Sequence, residues 1–322
     1  MAHPIWKDYT LRWLLEDSVT FTITYEGTII YEGKAYRRPN AQYLEIKIND
    51  ICADYIRVAF PPQFPAEGAN NRPYLYDFTI TAILESDGSQ EVEQVQFFYD
   101  WSYNYFREGD DSLLSAPILR KIPRNAPLLF TAKTEELPLQ ASVYFYNGAE
   151  FFVRSFTVES EADITIPLAE ITAPFSRVEF LQTSYEVVDT CARYMLYYLN
   201  AFGGWDFLLC EGKDMQKDDY TRHTFGQAYN NDQSRNRGNR NYRNDITRKW
   251  QLRTLWIDDA GAQNMHHLLG STDVYLYDLL TEQIQPILID NPQCKYQTFS
   301  NNGNQLLRYD IEATLAQNLT RR

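Results

Sequence analysis

The chain has few of the features by which an enzyme or a membrane protein declares itself. No run of about 18 apolar residues occurs, so no transmembrane helix and no membrane insertion are expected. It has no Gly-x-Ser-x-Gly, Walker or Gly-x-Gly-x-x-Gly motif, the common marks of serine hydrolases, P-loop proteins and dinucleotide folds. The four cysteines (Cys52, Cys191, Cys210, Cys294) form no C-x-x-C pair, and the four histidines form no H-x-x-x-H pair. Zinc is therefore not expected, nor is any other cofactor. Each Cys sits among apolar or aromatic neighbours, which predicts buried free thiols. Basic residues are short as well: 30 Lys and Arg face 43 Asp and Glu, a net charge of −13. Such acidity favours solubility and opposes non-specific binding to nucleic acid. The opening Met1 to Asp8 lacks the basic-then-apolar layout of a secretory signal, so synthesis in a cytoplasm is expected.

Aromatic residues, by contrast, are abundant: 24 Tyr, 18 Phe and 6 Trp. Flat rings suit a pleated, half-buried surface, and the fold class expected is mostly β. Residues 1–118 read as an N-terminal β-sandwich-like domain. In it Val19–Tyr25 and Thr28–Tyr36 flank Glu26-Gly27, and Tyr76–Leu84 and Glu91–Tyr99 flank Ser86–Ser89. Asn49–Tyr55 reads as a strand end or a short helical turn. Clustered proline makes Phe60 to Pro73 a loop. Residues 119–184 form a second small β segment, whose strongest hairpin signal is Asn147-Gly148.

Residues 185–322 form the third unit, a β domain with one helix. An aromatic hairpin, Ala192 to Gly212, turns at Gly203-Gly204, and a tryptophan-bearing strand spans Asp245 to Ile257. The helix, 258–269, opens on Asp258-Asp259, where carboxylates favour the helix dipole, and stops at Gly270. Between hairpin and strand lies Gly226 to Arg243, with five Asn and four Arg in eighteen residues. That composition cannot bury enough apolar surface to offset its ordering entropy, so it should order only at a subunit interface.

Few residues are candidates for chemistry. His266-His267 are helix neighbours and diverge by about 100°, so they cannot share a metal, and a surface or interface role is expected. Asp100, Asp110 and Asp111 are carboxylates without a diagnostic spacing. Gly203-Gly204-Trp205 is a hairpin turn rather than a phosphate nest. Trp101–Tyr105 or Tyr194–Tyr198 would supply a sugar-stacking platform, but core packing at period two uses the same residues and is preferred. No enzyme activity is expected.

The third unit also carries Asn200-Ala-Phe-Gly-Gly-Trp-Asp206, Asn241-Tyr-Arg-Asn244, Leu268 to Leu276 and Tyr309 to Gln317. In this order they resemble virion tail proteins of phages and prophages of gut Bacteroidales. More distantly, the succession of strands, one helix and closing strands is similar to the tail-tube fold of tube, distal-tail and baseplate-hub proteins. The resemblance implies a structural component of a phage tail, a distal-tail or baseplate ring subunit lining the DNA channel and docking other tail proteins. It implies a homo-oligomeric ring, hexameric in preference to trimeric, located in the virion tail and assembled in the bacterial host cytoplasm. DNA would be only passing cargo, repelled by an acidic channel wall. Arg235, Arg237, Arg240 and Arg243, with the surroundings of Trp205 and Trp256, are the expected assembly interface. The alternative is a carbohydrate-binding or adhesin-like module contacting a host surface glycan.

Overall fold

The computed structural model describes residues 2–14, 16–101, 120–134, 138–180, 183–211, 215–226, 239–257, 265–290, 296–301, 304–317 and 319–321. The side chains of 239, 240, 296–301, 304–307 and 319–321 lie outside that description. The fold is mostly β, as expected.

The N-terminal sandwich is built on alternation. Ser18–Tyr25 turns at Glu26 and Gly27, both at positive φ, into Thr28–Tyr36. Tyr76–Leu84 turns through Gly88, also at positive φ, into Gln90–Phe98. These four strands and the parallel edge piece Ala2–Pro4 make a five-stranded sheet. Thr10–Leu14 pairs with Tyr43–Lys47 as a second layer, followed by the short helix Asn49–Ala53. Val19, Phe21, Ile23, Phe78 and Ile80 point inward against Trp13, Leu44, Ile46 and Cys52.

The middle segment does not stand alone. Pro127–Lys133 and Glu161–Pro167 form a three-stranded sheet with Gly68–Arg72. That third strand lies inside the stretch read from the sequence as a loop. Glycine and asparagine are poor strand formers, and pairing with Glu161–Thr165, some ninety residues away, overrides the propensity. A five-stranded sheet faces it: Glu150–Val158, Leu139–Asn147, Arg177–Phe180, Thr183–Val188 and Arg120–Pro123. The core between them continues into the C-terminal unit through Met195, Tyr197, Trp205 and Phe207.

That unit is a nine-stranded sheet. Its path runs Trp205–Cys210, Tyr194–Leu199, Val274–Asp278, Gln283–Ile289, Asn304–Leu315, Asn239–Arg253 and Met215–Gly226. Tyr296–Asn301 and Leu319–Arg321 pair off this path. Cys210 bridges Thr254, and the Glu211 N–H donates to the Arg253 carbonyl at 2.8 Å, so the sheet curls back on itself. Tyr194–Leu199 is buried at every position. Met195, Tyr197 and Leu199 face the middle sandwich, whereas Tyr194, Leu196 and Tyr198 join Trp250, Ile311, Met265 and Leu268 in the other core. Two-sided burial explains why this strand shows no polar alternation. Residues 265–269 are helical, and 258–264, the rest of the expected helix, lie outside the described residues.

Of the cysteines, Cys52 is a buried free thiol and Cys210 is buried. Cys191 corrects the expectation: it is exposed, in the extended connection before Tyr194. Cys294 lies outside the described residues.

Candidate functional site

Two regions stand out, a long exposed hairpin and a buried junction. Met215–Gly226 and Asn239–Arg253 pair antiparallel along their length, with a bulge at His223/Thr224. Most of the Gly226–Arg243 interval read as a loop lies outside the described residues, but Gly226 and residues 239–243 are strand. Met215–Gly226 ends the sheet, and no described strand pairs with its outer side. Tyr220, Phe225 and Tyr242 are exposed on this arm.

Charge organises the arm internally. Arg248 grips Asp218 with Nε at 2.9 Å and Nη2 at 3.1 Å. Arg243 Nε reaches Asp245 at 2.7 Å, and His223 Nε2 reaches the other oxygen of that carboxylate at 2.8 Å. The Arg248 bond lowers the Asp218 pKa, and the Arg243 bond, then the His223 bond, lowers that of Asp245. In solvent such pairs align side chains and add little to stability. Residues 215–253 hold nine Lys and Arg against four Asp, a charge of +5, which leaves −18 for the rest of the chain.

The expected interface residues scatter. Arg235 and Arg237 lie outside the described residues. Arg240 stands opposite Phe225 in the pairing register, and Arg243 is spent partly on Asp245. Trp256 is exposed at 42%, with the Arg308 guanidinium 5.5 Å from its ring centroid. Trp205 is a correction: it is wholly buried, edge-on to Phe60 at 4.9 Å and to Tyr275 at 5.9 Å. A ring enclosed by its own core offers no surface to a neighbour.

Trp205 instead belongs to the junction, where the Asn200–Asp206 motif meets Arg72, Arg120, Thr131 and Asp163, four residues that nothing in the sequence marks. The turn 200–204 is held by the Asn200 side chain. Its Oδ1 accepts the N–H groups of Phe202 (2.9 Å) and Gly204 (3.0 Å), and its Nδ2 donates to Asp206 (2.9 Å). Gly203 sits at φ 89° with its Cα packed on Tyr99, where a Cβ would lie 3.1 Å from the ring. Arg72 donates to the Gly203 carbonyl at 2.7 Å and pairs with Glu161 and Asp163. Thr131 Oγ1 donates to Asp163 (2.7 Å) and accepts the Trp205 N–H (2.9 Å). Arg120 Nη1 meets Asp206 at 2.6 Å.

Burial raises the Asp163 pKa although Arg72 and Thr131 oppose it. For Arg120, burial works against the charge, but Asp206 together with Tyr198 and Tyr185 holds the pKa above its ordinary value. The two histidines do diverge. His266 is exposed, whereas His267, expected at a surface or interface, is buried, and its Nδ1 accepts the Ala201 N–H at 3.3 Å. Burial lowers the His267 pKa. The Asn200–Asp206 motif is thus the clamp where strands from all three parts of the chain meet.

Among the described residues, no three His, Cys, Asp or Glu side chains gather as a metal set. Tyr194, Tyr197 and Tyr198 are buried and form no platform, and 102–105 lie outside the described residues. An aromatic surface does occur on the outer face of the middle sandwich. There Tyr144, Tyr146 and Phe151 lie with centroids 5.8–6.4 Å apart, Phe151 is 60% exposed, and Arg177 lies over Tyr146.

No protein-family model matches the chain, and no curated protein matches it. A solved structure described as "Structural insight into host cell surface retention of a 1.5-MDa bacterial ice-binding adhesin" aligns over 78% of this chain and 86% of that chain, at 7% identity. Its TM-score of 0.14 is too low to indicate a shared fold.

Proposed function

We propose that this chain is a structural ring subunit of a phage tail, at the distal tail or baseplate, and that it performs no catalysis. The observation that carries the reading is the hairpin: a twelve-residue strand at a sheet edge that no described strand pairs, on a +5 arm of an otherwise acidic chain. A long exposed edge is a template for pairing, and soluble monomers normally blunt it. A copy's own acidic remainder is the complementary surface for such an arm, and closed symmetry then gives a ring. The curled nine-stranded sheet carrying one short helix supports the tail-tube-like resemblance. In this reading the ring is hexameric, docks other tail proteins and passes DNA as cargo. Its place is the virion tail, assembled in the host cytoplasm. Negative-stain microscopy of the purified protein, alone and with neighbouring tail proteins, tests it: closed rings support the reading, and dispersed monomers in both samples contradict it.

A second reading, glycan binding, has one specific observation in its favour, the cluster of exposed Phe151 with half-buried Tyr144 and Tyr146. Retention of the protein on a polysaccharide resin, lost on Phe151→Ala, would support it.

A further inference from the structure

The outer strand of the arm, Met215–Gly226, ends the nine-stranded sheet, and no described strand pairs with its outer side. Two features of the strand show what that edge fits. Its exposed apolar side chains, Met215, Tyr220 and Phe225, fall near its start, middle and end at equal intervals. Its charges are ordered: Lys217, Asp218 and Asp219 precede Tyr220, and Arg222 and His223 follow it. The bulge leaves this strand regular, since the extra residue, Tyr242, lies in its partner. Side chains therefore alternate between the two faces from Met215 to Phe225.

Such a strand is complementary to itself. A two-fold axis normal to the sheet lays a second copy antiparallel beside the first, and opposed residues must share a face. With the axis at Tyr220, the two Tyr220 rings meet at the centre, Met215 opposes Phe225 at both ends, and Asp218 opposes Arg222 twice. Every exposed apolar side chain of the strand then has an apolar partner. Arg222 forms no ion pair among the described residues, and Asp218 keeps acceptor positions beyond the two bonds that Arg248 donates. Lys217 opposes His223, but each keeps its own carboxylate, Asp219 at 2.7 Å and Asp245 at 2.8 Å. Neighbouring registers lose this match. An axis at Asp219 sets that carboxylate against its own copy, and one at Thr221 sets Lys217 against Phe225 and leaves Met215 beyond the paired length.

We propose that the outer edge of Met215–Gly226 pairs with the same edge of a second copy, antiparallel and centred on Tyr220. The pairing gives the backbone N–H and C=O groups of both edges their partners and joins two sheets into one. This inference rests on the reading of the hairpin as an assembly element, and it names what covers the hairpin's edge. Six copies that keep this two-fold contact beside the arginine contact close as three such pairs. A single strand edge is small beside the surface of a stable dimer, so it closes among copies already held by the arginines.

Cysteine cross-linking of the full-length protein reads the register. In a Cys191→Ser background, which removes the exposed thiol, Tyr220→Cys should form a disulfide-linked dimer on mild oxidation with diamide, because opposed residues lie within disulfide reach. Asp218→Cys and Arg222→Cys should each stay monomeric on a non-reducing gel and should cross-link when mixed. Arg222→Glu should lower the Tyr220→Cys yield, since it sets a second carboxylate against Asp218. Dimers in similar yield from each single variant would overturn the proposal, as would a self-link at Thr221→Cys in place of Tyr220→Cys. Sedimentation of the same chains without oxidant separates this inference from the reading beneath it. A six-copy species with no Tyr220→Cys link would leave the ring standing and overturn the edge pairing. A link without the six-copy species would do the reverse, and the absence of both would overturn both.

Discussion

Arg120 and Asp206 form an ion pair at 2.6 Å with both side chains almost completely buried, joining the edge strand of the middle sandwich to the aromatic hairpin of the C-terminal sheet. Their separation in sequence is 86 residues. Removing one partner strands the other charge in the core. Arg120→Met should therefore cost about 3–5 kcal/mol. The double variant Arg120→Met/Asp206→Leu should recover much of that loss. Urea unfolding of the three proteins measures it, and a single variant as stable as the parent would remove the pair from the account of the junction.

Trp205 and Trp256 should separate sharply. Trp205→Ala empties a fully enclosed site between Phe60 and Tyr275 and should cost about 3–5 kcal/mol. Trp256 is exposed, so Trp256→Ala should change the melting temperature little. Thermal unfolding followed by circular dichroism gives both values. A larger effect at Trp256 would contradict the burial described above.

His267 should make the junction acid-sensitive. Burial lowers its folded pKa below the ordinary 6.5, so the unfolded chain takes up the proton first as pH falls. Its contribution to stability is full above about pH 6.5 and declines below it, because the neutral ring accepts the Ala201 N–H and the imidazolium cannot. Arg120 and His266 oppose the protonated form, and Asp206 favours it. His267→Asn keeps an acceptor without titrating. Denaturant midpoints near pH 7 and pH 5.5 should differ less in that variant than in the parent, and an equal drop in both would exclude His267 as the cause.

The features legible in the sequence were the local ones. Glu26-Gly27, Ser86–Ser89 and Asn147-Gly148 mark hairpins because turn geometry is a property of two to four adjacent residues, and all three form. Gly68–Arg72 was illegible because its strand character comes from Glu161–Thr165 and not from its own side chains. Tyr194–Tyr198 is core, the reading preferred from the sequence, whereas Trp205 looked available for contact because strands packed on both faces show no polar side to betray their burial. The Arg72–Asp163 and Arg120–Asp206 pairs join residues 91 and 86 positions apart. Carboxylates and arginines carry no local mark of such pairing. The Asn/Arg-rich interval was legible as unusual, but the strand after it starts at Asn239 and not at Asp245, because its polar first half carries no alternation of apolar residues.

Assembly through the hairpin is the central claim, and sedimentation velocity of two proteins tests it most directly. One is the native chain, and the other carries Arg235→Ser, Arg237→Ser, Arg240→Ser and Arg243→Ser. The native chain is predicted to form a closed species of six 37.7-kDa copies that dissociates as salt is raised. The four-serine chain is predicted to stay monomeric while melting at nearly the parent temperature. A native chain that stays monomeric at high concentration and with neighbouring tail proteins, or a four-serine chain that assembles as well as the parent, would contradict it.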